Sequence, residues 1–366
     1  MIPRVAVVGA GIAGASLAYF LAGRAQVILI EGEAQPGYHT TGRSAAFYAE
    51  TYGGPAVQPL TTASKPFLEA PPLGFATAPL LGRRGGLHIA NAAALGRLAT
   101  IEAEFAGTGV DIERLGSAAV AARLPELRDD WCAGALWEPD CRDIDVAALH
   151  QGFLGGARRA GVRLLADAPV ERIVRQAGGW RIETRGGDVD ADIVANAAGA
   201  WGDTVAALAG VAPIGLTPLR RTVAVVDVDP VAPADMPLVI AADGSFYFKP
   251  DAGRLWVSPH DEIPCKAADV QPEELDVALA LDRLERATTW RIRRLDRAWA
   301  GLRTFAPDRA PVYGYDPAMP GFFWCVGQGG FGIQTAPAAG ELAAAILLGE
   351  VTKIADTTRY APGRFR

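Results

Sequence analysis

Cysteine and histidine are scarce in this chain, and their spacing matches no common metal site. The four cysteines, Cys132, Cys141, Cys265 and Cys325, form no C-x-x-C pair and have no histidine pair nearby. This spacing argues against a zinc site and against a disulfide framework, so we expect buried, reduced thiols and no bound metal. No Ser-His-Asp or Cys-His arrangement stands out, which leaves nucleophilic hydrolysis without support.

The chain also lacks basic tracts and long apolar runs. Its net charge is −6, with acids and bases interspersed, so nucleic acid is not an expected partner. No apolar run reaches the length of a transmembrane segment, and a first strand that starts within five residues of Met1 leaves no room for a signal peptide. We therefore expect a cytoplasmic protein. A length of 366 residues, 50% of them hydrophobic, is enough for two domains with sizeable cores.

The most specific segment of the sequence is a strand followed by glycines. Residues 5–8 form an apolar run typical of a strand that is buried on both faces. Gly9 permits a tight turn, Gly11 lets the backbone approach a pyrophosphate, and Gly14 lets a helix pack closely on the strand. Glu31 ends the next apolar run, at the spacing of a carboxylate that accepts hydrogen bonds from ribose hydroxyls. The segment predicts a site for the ADP half of a dinucleotide, and the acid argues against a 2′-phosphate.

A second glycine cluster lies near the other end of the chain. Residues 322–326 are typical of a buried strand, residues 327–332 of a loop with close backbone approach, and Thr335 of the N-cap of a helix that runs to Leu348. The N-terminus of such a helix stabilises negative charge, such as the charge on the pyrimidine edge of a reduced flavin. The alternative is an ordinary strand, turn and helix.

The middle of the chain contains further elements of the nucleotide-binding domain and also segments typical of antiparallel strands. Asp145 is a good N-cap for a helix, and residues 192–199 are strand-like. Residues 222–228 alternate in hydropathy, and residues 245–258 predict a hairpin with a turn at 250–253. We expect the antiparallel strands to belong to a second domain that faces the substrate.

Six motifs occur in an order that resembles the D-amino-acid oxidase-like FAD oxidoreductases. They are GAGIAG (9–14), GYHTTGRSAA (37–46), NAAGAW (196–201), SFYFKP (245–250), WAGLR (299–303) and QGGFGIQT (328–335). The resemblance covers nearly the whole chain up to about Leu348. It implies that FAD is the cofactor.

The resemblance also implies the fold class, which is α/β. It comprises a Rossmann-like FAD-binding domain of the glutathione-reductase type and a second, α+β substrate domain built on a mostly antiparallel sheet that covers the flavin. The boundaries that we predict for the FAD-binding domain are residues 1–78, 142–212 and 310–366. For the substrate-binding domain they are residues 79–141 and 213–309.

The positions expected to contact FAD lie in the glycine motifs and in the strand ends beside them. They are Gly9, Gly11, Ile12, Ala13, Gly14, Glu31, Arg43, Ser44, Ala45, Ala46, Val170, Ala198, Gly199, Trp201, Gly329, Gly330, Phe331, Gly332, Ile333 and Gln334.

Two residues are the expected ligands of the substrate carboxylate. A guanidinium offers paired donors that match two carboxylate oxygens, and the resemblance implies this role for Arg303. The alternative is that Arg303 pairs with Asp308. Strand alternation puts Ser245, Tyr247 and Lys249 on one face of the hairpin, so the Tyr247 phenol can point into a polar cleft. The resemblance makes Tyr247 the second ligand.

Three further positions match residues of the family's substrate pocket. Tyr52 and Arg221 line it, and the Gly330 carbonyl receives the substrate amine. Each has an alternative role: loop packing for Tyr52, a solvated surface position for Arg221, and a turn for Gly330.

Two departures from the arginine-specific members of the family bear on the substrate. Those members have a histidine where this chain has Phe47, and a glutamate where it has Gly86. Without a buried anion, a cationic side chain has no partner to offset its desolvation, so neutral or hydrophobic D-amino acids are favoured over arginine. Glu50 could supply a replacement charge, but we expect an exposed loop acid there.

The expected reaction is FAD-dependent oxidative deamination of D-amino acids. A hydride moves from the α-carbon to flavin N5, and the resulting imine hydrolyses to a 2-oxo acid and ammonia. Three alternatives remain: a glycine-, sarcosine- or cyclic secondary amine oxidase, an FAD-dependent 2-hydroxy-acid dehydrogenase, and a flavin-binding module without turnover. The electron acceptor, whether a quinone, another carrier or O₂, has no sequence signature.

The sequence predicts that FAD is held without a covalent bond. Residues 299–308, where sarcosine oxidases of the superfamily carry a flavin-linked cysteine, contain none. Acid precipitation should therefore release the yellow cofactor into the supernatant. Colour that stays in the washed pellet would contradict this prediction.

Overall fold

The computed structural model describes residues 2–366, which form eight α-helices and 22 β-strands. The helices are α1 (Ile12–Leu21), α2 (Gln58–Glu69), α3 (Leu95–Phe105), α4 (Ser117–Arg123), α5 (Val146–Arg159), α6 (Gly202–Leu208), α7 (Glu274–Ala287) and α8 (Gly332–Leu348). The strands are β1 (Arg4–Val8), β2 (Gln26–Ile30), β3 (Phe47–Tyr48), β4 (Leu81–Arg83), β5 (Gly86–Ala90), β6 (Glu113–Leu115), β7 (Gly134–Glu138), β8 (Arg142–Ile144), β9 (Arg163–Leu165), β10 (Val170–Gln176), β11 (Gly179–Thr184), β12 (Val189–Ala191), β13 (Ile193–Asn196), β14 (Thr217–Asp229), β15 (Leu238–Ala241), β16 (Tyr247–Asp251), β17 (Arg254–Ser258), β18 (Ile263–Pro264), β19 (Arg291–Phe305), β20 (Val312–Tyr315), β21 (Phe322–Val326) and β22 (Gln328–Gly329).

A six-stranded sheet contains the first glycine motif. Its strand order is β20-β21-β13-β1-β2-β9, and all neighbours are parallel except β20, which pairs antiparallel with β21 at one edge. Strands from distant parts of the chain thus lie side by side. The apolar strand β1 is central, with buried residues on both faces, as its composition predicts.

Small residues let the helices lie close to this sheet. Helix α1 packs against α5 and α8 over one core, while the three-stranded sheet β10-β11-β12 covers a second core on the other side. At the turn into α1, a Cβ on Gly14 would overlap the carbonyl oxygen of Gly9. Where α1 meets α8, a Cβ on Gly340 would lie 2.7 Å from Cβ of Ser16.

The second sheet is larger and mostly antiparallel. Its strand order is β22-β19-β14-β17-β16-β15-β5-β7-β6, with β15 and β5 as a parallel pair. The long strands β14 and β19 pair along most of their length, and helices α4 and α7 pack over the core on one face. The expected fold class is confirmed, whereas the exact domain boundaries stay a prediction. Within residues 2–366, no helix combines the length and apolar character needed to cross a bilayer.

Two local boundaries differ from the sequence-based expectation. The hairpin turn is only two residues long, because β16 continues through Asp251 and pairs it with Arg254, and both Ala252 and Gly253 have positive φ. Helix α8 begins at Gly332 instead of after Thr335, whose hydroxyl donates to the Phe331 carbonyl and so does not cap the helix. The cap at Asp145 is confirmed, since its side chain accepts a hydrogen bond from the amide of Ala148 at 2.8 Å.

The packing at Gly14 can be tested with a matched pair of helix glycines. Gly14→Ala forces a Cβ into the backbone of the preceding turn, so we expect a loss of about 3 kcal/mol or more in the free energy of unfolding. Gly96→Ala in α3 places its Cβ in open space and should change stability by at most about 1 kcal/mol. Urea unfolding followed by circular dichroism measures both, and equal midpoints would contradict the packing argument.

Candidate active site

One cavity of about 420 Å³ lies where the two large sheets meet. At one end it is lined by the glycine turn after β1 and by the end of β2; at the other it is lined by residues of β14, β16 and β19. The segment before α8 lies along it as well. The two glycine-rich motifs and the candidate substrate ligands therefore face one space.

The first end of the cavity has the features of a dinucleotide cradle. Gly9 has a φ of +100°, and a Cβ there would lie 2.5 Å from the Ala197 carbonyl oxygen. Around Gly11, an added Cβ would have one neighbour within 4 Å among the described residues, the Thr41 hydroxyl at 3.2 Å, so the backbone is open on this side. The Glu31 carboxylate, also on the cavity wall, accepts hydrogen bonds from the amide of Ala10 at 2.8 Å and from that of Glu33 at 3.0 Å. A bare backbone beside an oriented carboxylate fits the pyrophosphate and ribose of FAD.

Most of the residues expected to contact FAD line this cavity. They are Gly9, Gly11, Ile12, Ala13, Glu31, Arg43, Ser44, Ala45, Val170, Ala198, Gly199, Trp201, Gly329, Gly330, Gly332 and Ile333. Four others, Gly14, Ala46, Phe331 and Gln334, lie behind the wall. Gly14 packs on the Gly9 turn, and Gln334 donates to the Tyr52 carbonyl at 3.0 Å. These four residues therefore lie next to the cavity, where they can support the residues that line it.

The side chain of Arg43 binds residues of the large antiparallel sheet and of a loop that connects its strands. Its guanidinium donates to the carbonyls of Val270 at 3.1 Å and Ala300 at 3.2 Å, and it forms an ion pair with Asp269. Asp269 also accepts a hydrogen bond from the phenol of Tyr38 at 3.2 Å. Arg43 thus joins the two halves of the cavity wall, which sequence analysis did not predict.

Arg303 and Arg221 lie on the same face of neighbouring strands. In the pairing of β14 with β19, Arg221 is opposite Gly301 and Leu219 is opposite Arg303, so the two arginines are diagonal neighbours. Both line the cavity. The alternative pair of Arg303 with Asp308 is not formed, because Asp308 binds Arg364 instead, at 2.7 Å.

Arg221 is buried, with 4% of its surface exposed, which rules out a solvated surface role. Its Nε donates to the Asp261 carbonyl at 2.6 Å and its Nη2 contacts Glu262 at 3.2 Å. Burial, followed by the charge of Arg303, lowers the pKa of Arg221. Its Nη1 and the phenol oxygen of Tyr247, which is 3% exposed, are buried and have no hydrogen-bond partner within residues 2–366. Two such groups on one cavity wall are ready to bind an acceptor on a ligand.

Tyr52 does not line the cavity, but it holds a residue that does. Its ring packs against those of Phe47 and Phe331, with centroids 5.0 and 5.1 Å away, and its phenol oxygen accepts a hydrogen bond from Nη1 of Arg303. A Cβ on Gly330 would lie 2.8 Å from both partners of that bond. Glycine at position 330 therefore leaves room for the pair formed by Tyr52 and Arg303.

Tyr52 was expected to line the pocket and does not, and three further positions that sequence analysis linked to the substrate also lie outside the cavity wall. Glu50, expected to be an exposed loop acid, is only 7% exposed and accepts a hydrogen bond from the Thr62 hydroxyl. Phe47 lies behind the wall between the rings of Tyr52 and Tyr247 and does not line the cavity. Gly86 is buried in β5, also outside the cavity. Their orientation follows from long-range strand pairing, which their sequence neighbours do not reveal.

His260 does not line the cavity, but it packs beside Tyr247, a position that sequence analysis did not predict. It follows β17 with a φ of +55°, its Nδ1 donates to the Gly244 carbonyl at 2.7 Å, and its ring centroid is 5.6 Å from that of Tyr247. Burial, followed by the charges of Arg221 and Arg303, lowers the pKa of His260 to about 3. Since the preceding Ser258-Pro259 pair carries no catalytic pattern, no local signal could have identified it.

The chain belongs to the DAO family of FAD-dependent oxidoreductases, which matches residues 4–346. Glycine oxidase from Geobacillus kaustophilus is 25% identical over 360 residues, which cover 93% of this chain and 91% of that protein. Human mitochondrial sarcosine dehydrogenase is 26% identical over 305 residues, which cover 77% of this chain and 32% of that protein.

The fold is shared with solved structures along its full length. L-proline dehydrogenase from P. horikoshii superposes with a TM-score of 0.87 at 22% identity, covering 100% of this chain and 98% of the other. The chain spans 16 to 39% of the length of the first curated relatives that it matches. These matches show the fold, and the family match shows FAD as the cofactor.

The environment of His260 predicts a pH dependence of stability. Its pKa is lowered from 6.5 in the unfolded chain to about 3 in the folded protein, so between these values the unfolded state binds the extra proton. This contribution leaves stability unaffected above pH 6.5 and reduces it as the pH falls towards 3. We expect His260→Gln to show a smaller drop in urea midpoint between pH 7.5 and pH 4.5 than the wild type. Equal drops in the two proteins would contradict a neutral imidazole at this position.

Proposed function

We propose that this protein oxidises small amino acids at the carbon that bears the amine, and that neutral or hydrophobic D-amino acids are preferred over D-arginine. The observation that carries the proposal is the guanidinium of Arg303. It lines the cavity and contacts the phenol of Tyr52, and within residues 2–366 it has no carboxylate within ion-pair distance. A carboxylate of the substrate would provide the missing partner.

The charges around this end of the cavity match a single carboxylate. This region contains three arginines and two acids: Arg221, Arg303 and Arg309, and Asp261 and Glu262. Glu262 contacts both Arg221, at 3.2 Å, and Arg309, at 2.8 Å. One positive charge is left over, which favours a zwitterionic amino acid with an uncharged side chain.

The same wall disfavours a cationic side chain. Among the described residues that line the cavity, the only acids are Glu31 and Glu33, both at the nucleotide end. A substrate guanidinium would have to leave water without a counter-charge and beside two arginines. This argument replaces the one from Phe47 and Gly86, which the structure does not support. The D configuration is proposed because the motifs resemble those of bacterial D-arginine dehydrogenase.

Each residue then has a defined task. When bound, FAD supplies the acceptor for the hydride that leaves the α-carbon. Arg303, Arg221 and Tyr247 bind the carboxylate and so fix the direction of the α-C–H bond. We assign the Gly330 carbonyl to the amine, whose lone pair forms the C=N bond as its proton passes to solvent. The imine then reacts with water to give a 2-oxo acid and ammonia.

A second candidate is the oxidation of glycine, sarcosine or a cyclic secondary amine. It is favoured by the match to a glycine oxidase along 93% of this chain, and the same three carboxylate ligands would serve. Flavin reduction by 2-hydroxy acids would instead indicate a hydroxy-acid dehydrogenase. Retained colour without reduction by any of these compounds would indicate a binding module.

Anaerobic titration of the purified yellow protein tests both candidates. We expect D-leucine, D-methionine or D-phenylalanine to bleach the flavin faster than D-arginine, glycine, sarcosine or L-proline. Admission of air then separates an oxidase, which recovers its colour rapidly, from a dehydrogenase. Arg303→Ala should keep the flavin and lose bleaching by at least about 100-fold, as expected for removal of a charged ligand. Arg297→Ala, an exposed arginine on the same strand, is the matched control. A preference for D-arginine, or full activity of Arg303→Ala, would contradict the proposal.

A further inference from the structure

We propose that Glu138 is a positioning residue for the site: its carboxylate fixes the segment of residues 49–52 and thereby holds the phenol of Tyr52 against Arg303. Glu138 ends strand β7, in the sheet of the substrate ligands, and lies outside the cavity wall. This inference rests on the proposed role of Arg303 as the carboxylate ligand.

The carboxylate of Glu138 receives four contacts from two elements. Its Oε1 accepts hydrogen bonds from the amides of Glu50 at 2.6 Å and Thr51 at 3.3 Å. Its Oε2 accepts from the Thr51 hydroxyl at 2.6 Å and lies 3.3 Å from Nε2 of His88. The same His88 nitrogen is 3.2 Å from the Thr51 hydroxyl oxygen. Both oxygens of Glu138 are therefore used to bind the two residues that precede Tyr52.

The acceptor capacity of a carboxylate matches this set of neighbours. Two backbone amides and a hydroxyl donate to it, and its two oxygens have acceptor sites for all of them, whereas the side chain in Glu138→Gln has a single acceptor oxygen. Glu138 is 1% exposed, and within residues 2–366 its only partner at salt-bridge distance is His88. Because a buried charge must be compensated, the segment cannot move away without leaving the carboxylate unpaired.

The opposite side of the segment is fixed by Gln334 of helix α8. The side chain of Gln334 accepts a hydrogen bond from the Ala49 amide at 3.1 Å and donates to the Tyr52 carbonyl at 3.0 Å. Within the segment, the amide of Tyr52 donates to the Ala49 carbonyl at 3.2 Å. Gln334 thus holds the two ends of the turn and Glu138 holds its middle. With the turn fixed on both sides, the Tyr52 ring is directed at Nη1 of Arg303.

A double-mutant cycle on ligand affinity tests this role. The probe is benzoate, a carboxylate without an oxidisable amine, and its binding is followed through the flavin absorption of the holoenzyme. We expect Glu138→Gln and Tyr52→Phe each to raise the dissociation constant about tenfold, or about 1.4 kcal/mol. The double variant should be no more than about twofold weaker than Tyr52→Phe alone, since both changes remove the same contact. Glu113→Gln, an exposed glutamate on the neighbouring strand β6, should bind like the wild type.

Two results would overturn the proposal: unchanged affinity in Glu138→Gln, or losses that multiply in the double variant. If Glu138→Gln does not fold, Thr51→Val replaces it in the cycle with the same expected coupling to Tyr52→Phe, because it removes the hydroxyl that binds Oε2. Benzoate binding that is unaffected by Arg303→Ala would instead contradict the proposed function.

Hydrogen exchange gives a readout that does not depend on any ligand. We expect the amides of Glu50 and Thr51 to exchange at least about tenfold faster in Glu138→Gln than in the wild type, and at the wild-type rate in Tyr52→Phe. Unchanged exchange in Glu138→Gln would overturn the role of its carboxylate in fixing the segment, whatever the outcome of the binding cycle.

Discussion

Two positively charged side chains, Arg221 and Arg303, occupy neighbouring positions on the same face of strands β14 and β19. Like charges at this separation repel, and burial adds a desolvation cost, so the surroundings of the pair have to compensate for both. Arg221 is balanced by Asp261 and Glu262, while Arg303 is supported by the phenol of Tyr52. The compensation is incomplete at Arg303, and in the proposed function this imbalance favours the binding of a substrate carboxylate.

Support for these arginines comes from both halves of the molecule. Tyr52 belongs to a segment that Gln334 fixes from helix α8 and Glu138 fixes from β7. Arg43, whose motif belongs to the nucleotide end of the cavity, is itself bound by Asp269 and Ala300. The cavity wall is therefore cross-linked by polar contacts between the two large sheets. A change in the packing of one sheet should therefore shift the side chains that the other sheet contributes to the substrate end of the cavity.

Sequence patterns were sufficient where the determinants are local. The buried strand β1, the close-packed glycine turn, Glu31 at the end of β2 and the cap at Asp145 follow from residue type and spacing. The start of α8 was misplaced by a few residues, because a threonine hydroxyl can either cap a helix or bond back to the carbonyl four residues before it.

The features that sequence reasoning missed depend on contacts between residues that are far apart in the sequence. Glu50 is buried, and its backbone amide binds Glu138, 88 residues away. Arg221 is buried because β14 pairs with β19, and His260 lies beside the site because its neighbour in space is Tyr247. Phe47 and Gly86 were placed in the pocket by family position alone, and neither lines the cavity.

The order of strands in the six-stranded sheet has a consequence for biosynthesis. Strand β1 can pair with β2 as soon as both have left the ribosome, but its other neighbour, β13, lies near residue 195, and β21 completes that side only near residue 324. The nucleotide-binding half therefore cannot mature cotranslationally ahead of the rest. For the same reason, no single cut in the polypeptide would yield either half as an independently expressed fragment.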